Sequence, residues 1–421
     1  MDKETSTKAP GKLMICGEWS VLQCNSPEYS CVVVPVDKYL TCTIKNVSKE
    51  EDALLDCPDM KFPPIPLLWN NDSSCLEQSP SSKDLPRSSA LVLSAIRVAS
   101  RYVHIKMNPS SPLPLISVTV RSDISSSSPS SGLSSSTSTT DERDARLSES
   151  KPGLGSSSAV VVAVVSCFLK HFLSEQDSPL RVYKLSAIAQ ILSPDHKNGS
   201  AFDIAAASFR VPIFYRRFDP EWLSSTLETM NANKDSLTDL VDGKVQWPRL
   251  SIDPIPWPHD TCELLVCFSR KSVSSAVFIS KVRSVLSEGG EKSEKYLKTM
   301  KEIGIISEAV RDAFREGRPE DVPALLKRNR ALLLEAQSII GVEFESPELA
   351  AISDSAEKVA EEMGEGVFVG AKFSGSGGGD NGIAIVVSKD PELRGSCCEK
   401  IITRWKSLGF LPLDNVALLG V

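Results

Sequence analysis

Residues Lys151–Val162 read KPGLGSSSAVVV, so glycines and small hydroxyl residues lead directly into an apolar segment that predicts a helix over 156–172. Glycines before a helix let backbone N–H groups approach an anion closely, and the helix N-terminus adds positive potential. The serine hydroxyls can also act as ligands of Mg2+. The spacing is not that of a Walker loop, and a flexible turn with a serine N-cap is the alternative interpretation.

Two further blocks combine glycines with charged residues. Lys8–Leu22 reads KAPGKLMICGEWSVL, and Lys12 stands in an otherwise apolar predicted strand, where it must reach a partner or solvent. Lys372–Gly382 reads KFSGSGGGDNG, in which a predicted strand breaks into a glycine-dense loop. Close approach of the backbone to a ligand explains so many glycines better than a plain hairpin does.

Strands and helices are mixed in both halves of the chain, which predicts the α+β class. Apolar and β-branched runs predict strands at 12–16, 30–36, 39–44, 115–120, 211–217, 263–268, 366–373 and 382–386. Apolar residues at helical spacing predict further helices at 88–102, 180–192, 276–286, 292–315, 323–340, 346–363 and 392–408. A stretch rich in Pro and Trp, 247–258, is typical of a crossing between two domains.

The chain has 421 residues and a formal net charge of −7. That length suggests two or three domains, and the acidic balance argues against nucleic acid or anionic membrane as partners. The longest apolar run, Ala159–Val165, is far shorter than the roughly 20 residues that cross a bilayer. No signal peptide is visible, so we expect a soluble, cytoplasmic protein.

The 11 cysteines and four histidines are scattered along the chain, without a C-x-x-C pair. A zinc site or a disulfide framework needs clustered spacing, so we expect reduced and mostly buried thiols.

Residues 122–150 begin with a run of Ser and Thr and continue through a charged stretch. Such a composition buries too little surface to offset its ordering entropy, so we expect a disordered insertion. A solvated spacer is the plain interpretation. Because the insertion ends just before the glycine block at 151–162, an active-site flap is the alternative.

Taken in their order along the chain, the three glycine blocks resemble the motifs of the GHMP kinase superfamily. That superfamily includes galactokinase, homoserine kinase, mevalonate kinase and phosphomevalonate kinase. The first family motif is similar to 8–22, the phosphate loop to Pro152–Ala159 and the third motif to Ser374–Gly382. GGGDNG in the third block looks like the GGGDCG of phosphomevalonate kinases. HKNGSAFDIAAA at His196–Ala207 and YRRFDPE at Tyr215–Glu221 are also similar to that branch.

Four residues depart from the pattern of that branch. Ser158 stands where Ala is usual, Ala201 where Gly is usual, Asn381 where Cys is usual, and Trp19 where Tyr is common. None of these changes removes a charged group that the chemistry needs, so they affect subfamily detail rather than kinase identity.

The resemblance implies a two-domain GHMP kinase fold. Residues 1–245 correspond to an N-terminal ATP-binding α/β domain that resembles the left-handed βαβ fold of ribosomal proteins, with the insertion inside it. Residues 246–421 correspond to a ferredoxin-like C-terminal α/β domain.

The resemblance also implies roles for individual residues. Asp203 matches the base, or orienter, of the accepting oxygen, and Lys12 matches the lysine that bridges the accepting and transferred phosphates. A phosphate monoester is already largely ionised at neutral pH, so we expect Asp203 to act more by positioning than as a strong base. Expected nucleotide contacts are Lys151, Gly153, Leu154, Gly155, Ser156, Ser157 and Ser158, with Ser157 also on the metal. Expected acceptor contacts are Lys12, Glu18, Lys197, Ser200, Asp203, Ser374, Gly375 and Ser376.

Plainer interpretations stay open for several of these residues. Asp203 could simply stabilise a helix N-terminus, Lys197 could be an exposed loop lysine, and Glu18 could pair with a neighbour. Ser274 and Ser275 lie at a predicted loop-to-helix junction, where capping is the safer interpretation.

The expected activity is ATP- and Mg2+-dependent phosphorylation of (R)-5-phosphomevalonate to 5-diphosphomevalonate, in the mevalonate route to isoprenoids. The alternatives are another small-molecule GHMP kinase, above all a mevalonate kinase, and a catalytically silent metabolite-binding regulator of the same fold. We expect small-molecule partners only, and a monomer or homodimer.

Overall fold

The structure is a computed structural model of the chain. It describes residues 3–23, 26–48, 52–60, 62–80, 85–107, 112–123, 153–174, 178–194, 199–230, 236–271, 275–413 and 418–419. The predicted insertion at 122–150 lies outside the described residues except for its first two positions.

The larger sheet has eight strands among the described residues. They are β1 (Glu4–Cys16), β2 (Cys31–Asn46), β3 (Leu54–Asp56), β4 (Ile65–Asn70), β5 (Cys75–Gln78), β6 (Ile116–Ser122), β7 (Ile213–Arg216) and β8 (Ser251–Pro254). Their order is β5-β4-β3-β6-β2-β7-β8, and β1 also pairs with β2. The predicted strands at 30–36 and 39–44 form one continuous strand, β2. The predicted break at Asp37 and Lys38 is an irregularity within it, opposite the step from Pro10 to Gly11.

The smaller sheet is antiparallel, with strand order β10-β11-β9-β12. Its strands are β9 (Cys262–Phe268), β10 (Phe368–Phe373), β11 (Asn381–Val387) and β12 (Leu411–Pro412). Every residue of β11 is buried, as expected for a central strand with a continuous apolar pattern. The loop between β10 and β11 carries the third glycine block.

Helices pack against both sheets. They are α1 (Arg87–Met107), α2 (Ser156–Phe168), α3 (Pro179–Leu192), α4 (Phe202–Phe209), α5 (Pro220–Met230), α6 (Ser236–Val241), α7 (Ser275–Glu288), α8 (Gly290–Arg315), α9 (Val322–Ile340), α10 (Pro347–Met363) and α11 (Pro391–Ser407). Side-chain caps fix the starts of α10 and α11, where Ser346 and Asp390 accept backbone N–H groups of the first turn. The predicted α+β class is confirmed.

Helix α2 continues into a π-helical turn, and Ser156–Leu173 is the single segment of the described residues that is long and apolar enough to cross a membrane. However, 72% of that segment is buried inside the protein. Its apolar side chains therefore belong to the hydrophobic core, where the helix packs against α1, β1 and β2.

Strand β8 pairs with β7 and so belongs to the larger sheet, although it lies in the predicted crossing at 247–258. The proposed domain division at residue 245 stays a prediction. The ten cysteines among the described residues are free thiols, and all except Cys398 are buried, as expected.

Candidate active site

A cavity of about 390 Å³ brings together residues from all three glycine blocks and from the start of α4. The predicted site residues that line it are Lys12, Glu18, Gly153, Leu154, Gly155, Ser156, Ser157, Ser200, Asp203, Gly375 and Ser376. These positions are spread over more than 360 residues of sequence, so their convergence is a property of the fold.

The first block and the phosphate loop are held together by backbone contacts. The N–H of Lys12 donates to the carbonyl of Leu154 at 2.9 Å. A Cβ at Gly11 would lie 2.8 Å from that same carbonyl oxygen, so only glycine permits the approach. Gly155 has φ +78°, and a Cβ there would lie 3.0 Å from both Cγ and Cε of Lys12. The glycines of this loop therefore serve close packing around Lys12.

The N-terminus of α2 opens onto the cavity. Gly155 precedes the helix in a left-handed conformation, and no side chain of the described residues caps the first turn. The first N–H groups of a helix lack intrahelical partners and attract anions. With Ser156 and Ser157 lining the cavity at this turn, the arrangement suits a polyphosphate.

Asp203 lies in the first turn of α4, with both carboxylate oxygens held. Oδ1 accepts the N–H of Ile204 at 3.0 Å, and Oδ2 accepts the hydroxyl of Ser158. The departure from Ala to Ser at position 158 therefore adds a hydrogen bond to this carboxylate. Ala201, where Gly is usual, keeps a left-handed φ of 57°, which explains the preference for Gly.

The charge of Lys12 is set by burial and by three nearby acids. Its side chain is buried, and desolvation lowers its pKa below the ordinary value of 10.5. The negative charges of Asp203, Asp380 and Glu18, in that order, oppose this shift. The ammonium also lies 5.5 Å from the centre of the Phe202 ring. Bound phosphates would add further negative charge and favour the ammonium form.

The third block contributes both packing and cavity surface. The hydroxyl of Ser374 accepts the N–H of Met14 at 3.0 Å and donates to the carbonyl of Met14 at 2.9 Å. Ser374 therefore ties this loop to β1 and does not itself line the cavity, whereas Gly375 and Ser376 do. At Gly377, a Cβ would lie 2.1 Å from the carbonyl oxygen of Phe344, so its glycine serves close packing.

Asp380 is a cavity residue that the sequence-based selection missed. It has φ 60°, its N–H donates to the carbonyl of Lys271 at 2.7 Å, and its carbonyl accepts the N–H of Ser269 at 2.8 Å. A Cβ at Gly153 would lie 2.8 Å from the Cβ of Asp380, so the phosphate loop and the third block interlock here. Its place as the acid of GGGDNG was the signal that could have identified it.

Two predicted residues next to the site make contacts with other side chains. Glu18 lines the cavity and also pairs with Lys372, whereas Ser158 does not line the cavity but donates a hydrogen bond to Asp203. Lys151, Lys197 and Ser274 lie outside the described residues. Cavity residues that were not selected, besides Asp380, are Met14, Trp19, Val21, Leu22, Phe202 and Ile279.

Residues 148–210 match the family model described as the GHMP kinases N terminal domain. This part of the chain is therefore similar to the N-terminal domain of GHMP kinases. The match covers the described part of the phosphate loop and all of α2, α3 and α4, and hence Ser157 and Asp203.

Full-length comparisons agree with this result. The chain is 26% identical over 420 residues to a phosphomevalonate kinase of Streptomyces sp. (strain CL190), covering 98% of this chain and 97% of the relative. The Lin0012 protein of Listeria innocua is 26% identical with a TM-score of 0.73, and all of both chains is covered. Streptococcus pneumoniae phosphomevalonate kinase, solved with phosphomevalonate and AMPPNP, is 19% identical with a TM-score of 0.70 over 98% of this chain and 99% of that chain.

These likenesses confirm the GHMP kinase fold and the resemblance to phosphomevalonate kinases that the three blocks predicted. At 19% identity the Streptococcus structure supports the fold alone.

Proposed function

We propose that this chain transfers the γ-phosphoryl group of ATP to the phosphate of (R)-5-phosphomevalonate, which yields 5-diphosphomevalonate and ADP. The observation that carries the proposal is the single cavity in which the phosphate loop, Lys12 and Asp203 meet. Similarity along the whole chain to the Streptomyces phosphomevalonate kinase supports the choice of acceptor.

In this proposal the nucleotide phosphates bind at the N-terminus of α2. The uncapped N–H groups of its first turn and the small residues Gly153 and Gly155 let the phosphates approach the backbone. Lys12, at the same wall, would lie between the transferred and accepting phosphates and neutralise charge on the moving group.

The reaction forms a bond from an acceptor phosphate oxygen to the γ-phosphorus and breaks the bond from that phosphorus to the bridging oxygen, which leaves on ADP. Phosphoryl transfer through a loose transition state depends mainly on alignment and charge stabilisation. Asp203 is held at both oxygens by Ser158 and Ile204, so its carboxylate has a fixed orientation. A fixed carboxylate suits the positioning of Lys12 and the acceptor better than it suits repeated proton transfer.

The cavity has donors that suit Mg2+. This ion commonly binds proteins through one or two carboxylates together with substrate phosphates, rather than through a full protein cage. The described residues contain no cluster of three or more His, Cys, Asp or Glu that could hold a metal alone, but Ser157, Asp203 and Asp380 all line the cavity. When bound, Mg2+ would neutralise phosphate charge, with the Ser157 hydroxyl as its expected ligand.

A comparison of acceptors tests the proposal. ADP release should be fast with ATP, Mg2+ and 5-phosphomevalonate, and close to background with mevalonate. Lys12→Met and Asp203→Asn should each lower kcat by at least about a hundredfold while the protein still binds ATP. Turnover of mevalonate but not its 5-phosphate would favour a mevalonate kinase, and unaltered kcat in both variants would refute the assigned roles.

The same site suits small-molecule partners, and the expectation of no nucleic-acid or membrane partner stays a prediction. Cytoplasmic location, and a monomeric or homodimeric state, stay predictions that fractionation and size-exclusion chromatography would test.

A further inference from the structure

A buried ion pair connects the first and third blocks beside the cavity. The Nζ of Lys372, on β10, donates to Oε1 of Glu18, which follows β1. Both side chains have an exposed fraction of 0%. The two residues are 354 positions apart in sequence, so the pair joins the two halves of the chain at the site.

Lys372 has little freedom to move. Its Nζ also donates to the carbonyl of Phe373 at 2.6 Å, and the next residue, Ser374, is bonded twice to the backbone of Met14. These contacts fix the ammonium relative to β1. The fixed ammonium of Lys372 therefore holds the carboxylate of Glu18 through its Oε1 atom.

The second oxygen of Glu18 is left without a donor. Oε2 is buried and accepts no hydrogen bond from any described residue, although Glu18 borders the cavity. Buried polar atoms in folded proteins nearly always have a partner, and an unmatched charged one is especially costly. A carboxylate oxygen only accepts, so the group that completes it must bring a hydrogen.

We infer that Lys372 is a positioning residue that orients Glu18 so that its Oε2 accepts a hydrogen bond from the hydroxyl group of the acceptor. This inference rests on the proposed function. At neutral pH the phosphate and carboxylate of 5-phosphomevalonate are hydrogen-bond acceptors, and its tertiary hydroxyl is the one good donor. Glu18 would repel both anionic ends, so it selects for the hydroxyl and fixes which way the molecule lies.

Two double variants test the inference without leaving a buried charge unpaired. Glu18→Met/Lys372→Met removes the accepting oxygen, and replacing a buried ion pair with apolar side chains commonly preserves stability. Glu18→Gln/Lys372→Met keeps an accepting oxygen but removes its anchor. Lys184→Met is the matched control, because Lys184 is also buried but donates to the carbonyls of Leu240 and Val245 and does not line the cavity.

The measurement is the ratio of kcat/KM for 5-phosphomevalonate to that for its 3-deoxy analogue, with KM for ATP followed in parallel. The wild-type protein and Lys184→Met should prefer the hydroxylated acceptor by roughly tenfold to a hundredfold, as expected for a hydrogen bond to a charged group. Both double variants should lose most of that preference through the acceptor KM, with little change in KM for ATP.

Each other result has a distinct meaning. If the wild type does not phosphorylate 5-phosphomevalonate at all, the proposed function fails and this inference fails with it. If the wild type is active but Glu18→Met/Lys372→Met keeps the preference, only the inference fails. Preference retained by Glu18→Gln/Lys372→Met, or lost equally in Lys184→Met, would overturn the positioning role of Lys372.

Discussion

Gly155→Ala is the change whose effect on the site can be separated most sharply from its effect on the backbone. Gly155 has φ +78° and ψ 33°, and Gly341, which ends α9, has φ +76° and ψ 40°. A Cβ costs about 1–2 kcal/mol in this left-handed region, partly offset by a less flexible unfolded chain. This backbone effect should lower the free energy of unfolding by about 1 kcal/mol in both Gly→Ala variants.

The surroundings of the two glycines differ. A Cβ at Gly341 would meet nothing within 4 Å, whereas one at Gly155 would lie 3.0 Å from Cγ and Cε of Lys12. Lys12 is buried, so its side chain must move by a few tenths of an ångström and its ammonium moves with it. Misplacement of about 1 Å can cost a hundredfold in rate, so we expect kcat/KM to fall roughly tenfold to a hundredfold in Gly155→Ala alone.

Urea unfolding and coupled ADP release on the same preparations measure the two effects separately. The expected pattern is a loss of about 1 kcal/mol in Gly341→Ala, a somewhat larger loss in Gly155→Ala because buried Lys12 must shift, and a loss of activity in Gly155→Ala alone. Equal activity of Gly155→Ala and Gly341→Ala would refute the packing of the phosphate loop against Lys12. A much larger loss of stability in Gly155→Ala would show that the loop acts mainly in folding.

Two further changes address the contacts of Asp203 and the response to acid. Ser158→Ala removes one hydrogen bond to Asp203 and should lower kcat about threefold to tenfold without changing KM for ATP; steady-state kinetics would show it, and an unchanged kcat would argue against that contact. Burial, with a smaller effect of the Lys3 ammonium, lowers the pKa of His171 from 6.5 to about 4. The folded state therefore favours the neutral ring, so stability is complete above pH 6.5 and falls as the pH drops toward 4. Urea unfolding at pH 7 and pH 5 should show about 1–2 kcal/mol of this loss, and His171→Gln should remove it; an identical pH dependence in the variant would contradict the assignment.

Local sequence patterns predicted most of the fold correctly, because apolar periodicity reports directly on burial. The predicted helix at 323–340 corresponds to Val322–Ile340, and the predicted strand at 263–268 corresponds to Cys262–Phe268. The sequence did not predict some short strands that contain polar residues, such as Leu54–Asp56 and Ser251–Pro254. Pairing with neighbouring strands stabilises these segments, and a single local sequence does not contain that information.

The candidate site was predictable where a motif carried it. Lys12, Ser157 and Asp203 were selected from their blocks, and the structure brings them to one cavity. Contacts made only by the tertiary fold were not predictable. Nothing near Glu18 in sequence indicates that Lys372 is its partner, and Asp380 reaches the phosphate loop only because Gly153 has no side chain.

The most direct test of the account is the identity of the product. The protein would be incubated with ATP, Mg2+ and 5-phosphomevalonate, and the mixture followed by phosphorus NMR. The account predicts a pair of coupled phosphorus signals from a new diphosphate, appearing together with ADP at a one-to-one ratio. Phosphorylation at the tertiary hydroxyl, which leaves two uncoupled phosphate monoesters, or release of inorganic phosphate without a new diphosphate, would contradict it.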